Sequence, residues 1–371
     1  GCGLLFHFPR EGGIGMRRLY SFFLGIVLII LLLWGITKQL ETKNTQGTTD
    51  KLVIYNWGDY IDPDLLDEFT AETGIQVDYQ TFDSNEAMYT KIKQGGTTYD
   101  LAVPSEYMIS KMREEDMLIK LDKSKIQGLE NIDPQFMGLS FDENNDYSIP
   151  YFWGTLGIVY NESMVENPPQ EWEDLWSEEY RDNIMLIDGV REVMGFGLQS
   201  LGYSLNSQDP NQIQETAEHL YNLTPNVKAI VADEIKGYMI QNAAAIAVSF
   251  SGEASEMLDG NENLHYVVPS KGSNLWFDNM VIPKTAKNID GAHAFMSFML
   301  RPENALRNAE YVGYSTPIPA AKALLDEETQ NDEAFYPSAE TMKNMEVYDN
   351  LGPEMLGLYN DLYLQFKMYR K

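Results

Sequence analysis

The sequence has one cysteine, Cys2, ahead of any patterned segment, which excludes a disulfide framework and thiol chemistry in the body of the chain. Histidine is almost as scarce. The four (His7, His219, His265 and His293) are far apart, and none has a His or Cys at metal-ligand spacing, which argues against a metal centre. Asp142, Asn144 and Asp146 imitate the start of a calcium loop, but Tyr147 and Trp153 stand where glycine and glutamate are needed, so a solvated turn is expected there. No nucleophile elbow occurs and no motif places a His beside a Ser, which removes the usual serine hydrolase constellations. Positive charge is the other shortage: 27 Lys+Arg face 56 Asp+Glu, a net charge of -29. Taking away the five basic and two acidic residues ahead of position 50 leaves 22 against 54, or -32. Such a body repels nucleic acid and anionic lipid and attracts cations, although solubility alone accounts for most of the charge. Internal repeats, low-complexity tracts and long flexible linkers are absent as well.

What is present begins with size. At 371 residues and 44% hydrophobic content, two ordinary domains are expected rather than one. Residues 1–15 read as an extension without structural signals. Met16-Arg17-Arg18 precedes the apolar run Leu19 to Ile36, and polar residues follow to Asp50. Basic residues ahead of an apolar run mark export, which puts the body on the extracytoplasmic side. Trp34, Ile36 and Lys38 crowd the few small residues that a cleavage site would need, and no cysteine ends the run for lipid attachment. Residues 16–49 are therefore read as an uncleaved anchor and linker, in preference to a removed signal peptide.

From Leu52 the pattern is βαβα, with Asp62-Pro63 opening a helix and Gly74 and Gly95-Gly96 ending two. Such alternation predicts α/β architecture, with ligands at the carboxyl ends of strands. Those ends carry aromatics and acids beyond what a structural turn needs: Trp57-Gly58-Asp59-Tyr60, Ser105-Glu106-Tyr107, Asp188 to Glu192, and Phe250-Ser251-Gly252-Glu253. Ser105 is first an N-cap and Asp59 first a helix-entry acid. The irregular aromatic segment Tyr147 to Gly154 reads as an interdomain crossing. In Asn274 to Pro283, a strand would put Trp276 and Asp278 on one face and Leu275, Phe277 and Val281 on the other. A Trp beside an Asp offers a cation both a π surface and a counter-charge, which suggests a pocket for an organic amine.

Read in order, Tyr55-Asn56-Trp57-Gly58-Asp59-Tyr60, Tyr99 to Ser105, Asp146 to Tyr151, Arg191-Glu192-Val193, Leu275-Trp276-Phe277-Asp278 and Gly313-Tyr314-Ser315-Thr316-Pro317 resemble the extracytoplasmic substrate-binding proteins of spermidine/putrescine ABC transporters. The resemblance runs from about Leu52 to the C-terminus. It implies an α/β, two-lobed periplasmic-binding-protein fold of type II, each lobe a mixed sheet flanked by helices, with ligand in the cleft between. Lobe I would hold residues 50–152 and 276–323, and lobe II residues 153–275 and 324–371. It further implies that Trp57, Tyr60, Ser105, Tyr107, Trp276 and Tyr314 form the cleft walls and that Asp59, Glu192 and Asp278 supply carboxylates. Phe250 stands where the family often has tryptophan and keeps an apolar wall. Gly189 replaces an aspartate of some spermidine binders, with Asp188 beside it, and Tyr348 replaces a glutamine. Glu253 falls where some putrescine-preferring relatives place an acid. The expected partners are spermidine or putrescine and the permease subunits of an ABC importer, with no cofactor, no nucleic acid, no enzymatic activity and a monomeric state. The alternatives are a secreted hydrolase using an acid pair such as Asp59 and Asp278, or a binder of another organic cation.

Overall fold

One strand, β4 (Ser148–Asn161), belongs to both halves of the molecule. In the computed structural model, which describes residues 51–369, its first half pairs antiparallel with β9 (Leu275–Val281) through Ser148 to Thr155. From Leu156 onward the same strand pairs antiparallel with β7 (Ile246–Phe250) and with β8 (Leu264–Val267). The aromatic segment read as irregular is thus the first half of this strand, with a register shift between Pro150 and Phe152. Such a shift is a common device where a strand must change direction.

On the N-terminal side, β1 (Lys51–Trp57) runs parallel to the two-residue β3 (Leu101–Ala102), which pairs antiparallel with β9 at Val281. β2 (Gln76–Phe82) lies outside β1. Helices α1 (Pro63–Thr73) and α2 (Asn85–Gln94) connect these strands and have the caps expected from sequence. Asp62 and Ser84 accept backbone N–H bonds at their starts, and Gly74 and Gly95 take left-handed conformations at their ends. α3 (Glu106–Glu114) follows β3. In the second half, β5 (Ile184–Ile187) runs parallel to both β7 and β6 (Val227–Val231). Helices α4 (Val190–Ser200), α5 (Pro210–Leu223), α6 (Glu234–Ile240) and α7 (Ser251–Gly260) flank that sheet.

The chain then returns through β9, α8 (Ile289–Met299) and α9 (Pro302–Val312), and ends in α10 (Gly352–Tyr369). The strand order is β2-β1-β3-β9-β4-β7-β5-β6, with β8 beside β4. Two lobes result, each with its own apolar interior. The second is built on Ile158, Trp172, Phe196, Ile246 and Phe366, and the first on Phe69, Phe152, Phe295, Phe277 and Met108. Burying each such side chain contributes about 1.5–3 kcal/mol before conformational entropy is subtracted.

The imitation calcium loop is not a solvated turn. Asp142 is buried, and its carboxylate accepts the N–H groups of Asp146, Tyr147 and Ser148, so the acid holds the entry to β4. The anchor expected over residues 16–49 lies outside the described residues. Among the described residues, no helix is long and apolar enough to cross a membrane.

Candidate functional site

Asp278 faces Phe152 across the ladder and Trp276 faces Gly154, so the two share one face of β9 as the strand period requires. The Asp278 carboxylate is buried, with only 6% of the residue exposed, and accepts two short bonds: Oδ1 from Ser105 Oγ at 2.6 Å and Oδ2 from Tyr60 OH at 2.6 Å. Tyr60 comes from the turn between β1 and α1, and Ser105 from the N-terminal end of α3. Although Ser105 occupies the N-cap position, its side chain caps nothing there, which corrects its expected first role. Asn85 steers it, accepting from Ser105 N at 3.0 Å and donating to Ser105 Oγ at 3.1 Å. Burial pushes the Asp278 carboxyl up to about 6, against the two hydroxyls that favour its charged form.

Aromatic rings continue from that acid. Tyr314 meets Tyr60 edge-on at 5.1 Å and Trp276 edge-on at 5.5 Å, and Phe250 meets Trp276 edge-on at 6.4 Å. Two glycines make the packing possible. A Cβ on Gly154 would lie 2.4 Å from the Trp276 ring, and one on Gly252 would lie 1.0 Å from the Tyr314 ring. Gly252 and Phe250 belong to the second lobe and Tyr314 to the segment after α9, so the rings meet across the two lobes. Glu253, in the first turn of α7, has Oε2 buried without a hydrogen-bond partner among the described residues, and burial raises its carboxyl to about 7. The indole Nε1 of Trp276 is likewise buried and unpartnered.

A second group of acids surrounds the start of α4. Glu192 folds back over its own N-cap, where a Cβ on Gly189 would lie 2.0 Å from Glu192 Oε2. Burial raises the Glu192 carboxyl, while the neighbouring Arg191 acts in the opposite direction. The Arg191 guanidinium lies 4.5 Å above the buried Tyr348 ring. Tyr107 donates to Glu86 at 3.1 Å. Asp188, next to Gly189, is turned to other partners. It accepts from Tyr363 OH at 2.5 Å and pairs with Lys367 at 2.8 Å, committing it to α10.

The stretch of chain that carries most of these residues matches a known family. The model for bacterial extracellular solute-binding proteins covers residues 64–337. The chain belongs to that family. This solute-binding protein is 41% identical over 321 residues to the spermidine/putrescine-binding periplasmic protein of Escherichia coli strain K12, covering 86% of this chain and 92% of that one. It is 31% identical over 326 residues to the putrescine-binding periplasmic protein SpuD of Pseudomonas aeruginosa, covering 82% and 89%. Among solved structures, the substrate-binding protein PotD of a spermidine/putrescine ABC transporter from Streptococcus pneumoniae is 70% identical, with a TM-score of 0.84 over 87% of this chain and 100% of that chain.

Of the residues expected to line the cleft of the solute-binding protein, Tyr60, Ser105, Trp276, Asp278, Tyr314, Phe250 and Glu253 gather in one place. Glu192 and Tyr107 lie in the second group. Trp57 is half-buried against Phe82 at 4.6 Å, and its Nε1 donates to Val103 O, two residues before Ser105. Asp59 is exposed in a left-handed turn with φ 48°. A cavity of about 370 Å³, lined in part by Phe136, Trp153, Lys322 and Tyr336, lies against the other face of β4 and β9, since Trp153 pairs with Phe277 rather than with Trp276 or Asp278. None of the expected residues lines it. Glu106 was missed from sequence. It is 1% exposed, and its Oε2 accepts from Phe277 N at 2.9 Å. Its place between Ser105 and Tyr107 was the available signal, but an acid in the first turn of a helix has an ordinary explanation.

Proposed function

We propose that this solute-binding protein captures a polyamine, spermidine or putrescine, on the outer side of the membrane and hands it to the permease of an ABC importer. The observation that carries the reading is a buried carboxylate, Asp278, set beside Trp276 and Tyr314, with a second acid, Glu253 of the second lobe, near the same Tyr314 ring and keeping a buried oxygen that has no partner among the described residues. A polyamine is a flexible chain with ammonium groups at intervals. Taking each ammonium out of water costs several kcal/mol unless a carboxylate replaces its hydration. Asp278, Glu253 and Glu192 provide enough acids for a diamine or triamine, and the rings of Trp276, Tyr314, Tyr60 and Phe250 cover the methylenes. Each ammonium–ring contact adds ~0.5 to 2 kcal/mol and each charged hydrogen bond roughly 1.5 to 3 kcal/mol. Ordering the chain and closing the lobes offsets much of this, leaving about -8 kcal/mol, which is micromolar. Relatives named as spermidine- or putrescine-binding proteins support the same ligand class.

In this account the protein acts as a monomer, held by its N-terminal segment and releasing its ligand unchanged. The hydrolase alternative is disfavoured because its proposed acid pair is separated in environment: Asp278 is buried between two hydroxyls, and Asp59 is exposed. Isothermal titration of the purified protein with spermidine and putrescine tests the proposal. Saturable heat, quenching of tryptophan fluorescence and recovery of intact amine are expected. No response at about 1 mM of either amine, a concentration that reveals even weak binding, would sink it.

A further inference from the structure

β9 carries Trp276 and Asp278, yet one of its edges has almost no strand beside it. β4 covers the other edge through Ser148 to Thr155, whereas β3 is two residues long and meets β9 at Val281 alone. Past that point the chain turns through Pro104 into α3, and single contacts replace a ladder. Asn279 N donates to Pro104 O at 3.1 Å, and Ser105 and Asp278 form an isolated antiparallel bridge. Phe277 N then finds no backbone acceptor on that side. It donates to the side chain of Glu106, at 2.9 Å from Oε2. A buried backbone donor needs a partner, and here a carboxyl oxygen takes the place of a strand carbonyl. Phe277 is the residue between Trp276 and Asp278, so the peptide that Glu106 holds sets the direction of both.

We infer that Glu106 is a positioning residue for the ligand site, acting through the Phe277 amide to hold Trp276 and Asp278 in register against Ser105. The inference rests on the reading of Trp276 and Asp278 as amine-binding residues. Glu106 is the wrong kind of group to be a further counter-charge. Burial, and then the nearby Asp278 and Glu192 carboxylates, raise it to about 8 in spite of the bond from Phe277. It is therefore mostly neutral at pH 7 and serves as an acceptor, a role that an amide oxygen can also fill.

The test compares E106Q and E106L with the intact protein. Calorimetric titration with spermidine is run in two buffers of different ionisation enthalpy, which counts the protons released on binding. Exchange of the Phe277 amide is followed in the ligand-free state. E106Q is expected to bind within about threefold of the original, with an unchanged proton count and a protected Phe277 amide. E106L, lacking the acceptor, is expected to lose roughly tenfold in affinity, because Trp276 and Asp278 are no longer pre-organised and must be ordered on binding, and to exchange that amide faster. The inference is overturned if E106Q loses as much as E106L, or loses a released proton, because Glu106 would then act by charge. It is also overturned if E106L binds normally. Should E106L not fold, E106Q still decides between acceptor and charge. Should the intact protein bind no polyamine, the functional reading fails by itself, and the exchange of Phe277 in E106Q against the original still tests the clamp.

Discussion

Asp278, a buried acid, and Glu253, a half-buried one, lie beside the same ring cluster, but they are held in opposite ways. Asp278 spends its two oxygens on Ser105 and Tyr60 at 2.6 Å each, while Glu253 has a buried oxygen with no partner. The first is finished by its own lobe before any ligand arrives. On the proposed function, the second takes its partner from the ligand. A buried polar atom without a partner is costly, and proteins keep such atoms where a function uses them. Pre-organisation on one side and an unmet demand on the other suit a hinged trap: one lobe fixes the ligand's position, and the other gains its missing partner on closure.

The comparison can be broken most forcefully at Asp278. Asp278→Ala leaves the Tyr60 and Ser105 hydroxyls without their acceptor and the amine without its fixed counter-charge, so calorimetry should record a loss of a hundredfold or more in polyamine affinity. A loss below tenfold would mean that the finished acid is only structural. Glu253→Gln should cost less, roughly tenfold, since one uncommitted charge is removed and no partner is stranded.

Glu253→Gln also separates the two acids by pH. The Glu253 carboxyl is raised to about 7 in the folded protein, whereas an unfolded glutamate titrates near ~4.3. Below that lower value its contribution to stability is fully present, and it is lost as pH rises through about 7. Ligand-free Glu253→Gln should therefore melt ~2–4 °C above the original at pH 8 and lose that advantage by pH 5. Polyamine affinity runs the other way. The amine needs ionised acids, so affinity of the original should fall at least tenfold, by order of magnitude, between pH 8 and pH 5, as Glu253 and then Asp278, raised to about 6, take up protons. Parallel slopes for stability and affinity would remove the distinction between the two acids. The smallest effect is expected at Asp59. It is exposed in a turn, and Asp59→Asn should change affinity by less than about twofold, because a screened surface charge contributes little.

Much of this was legible before any coordinates. Period-two alternation placed Trp276 and Asp278 on one face, and the proline and glycine signals bounded α1 and α2 to within a residue. Local chemistry dictates those features. The long β4 was misread because its run of Tyr151, Phe152, Trp153 and Gly154 alternates no polarity: both of its faces are buried, so the usual signal of a half-exposed strand is missing. Ser105 was read as a cap for the related reason that an N-cap is a local bargain, while the bond to Asp278 joins residues 173 apart. Nothing in the sequence marks the glycines at 154 and 252 for packing, and only the approach of Trp276 and Tyr314 shows why a side chain there would collide. Glu106 belongs to the same class, a long-range acceptor hidden in a locally sensible position.

What happens to Glu253 when an amine is present decides whether this acid meets the ligand. Carboxyl ¹³C resonances followed through a pH titration, with and without saturating putrescine or spermidine, read this directly. Glu253 is expected to titrate near about 7 in the free protein and to move more than one unit lower in the complex, because a bound ammonium favours its charged form. A Glu253 resonance that titrates at the same pH with and without a bound polyamine would contradict the claim that this acid is kept unpartnered for the ligand.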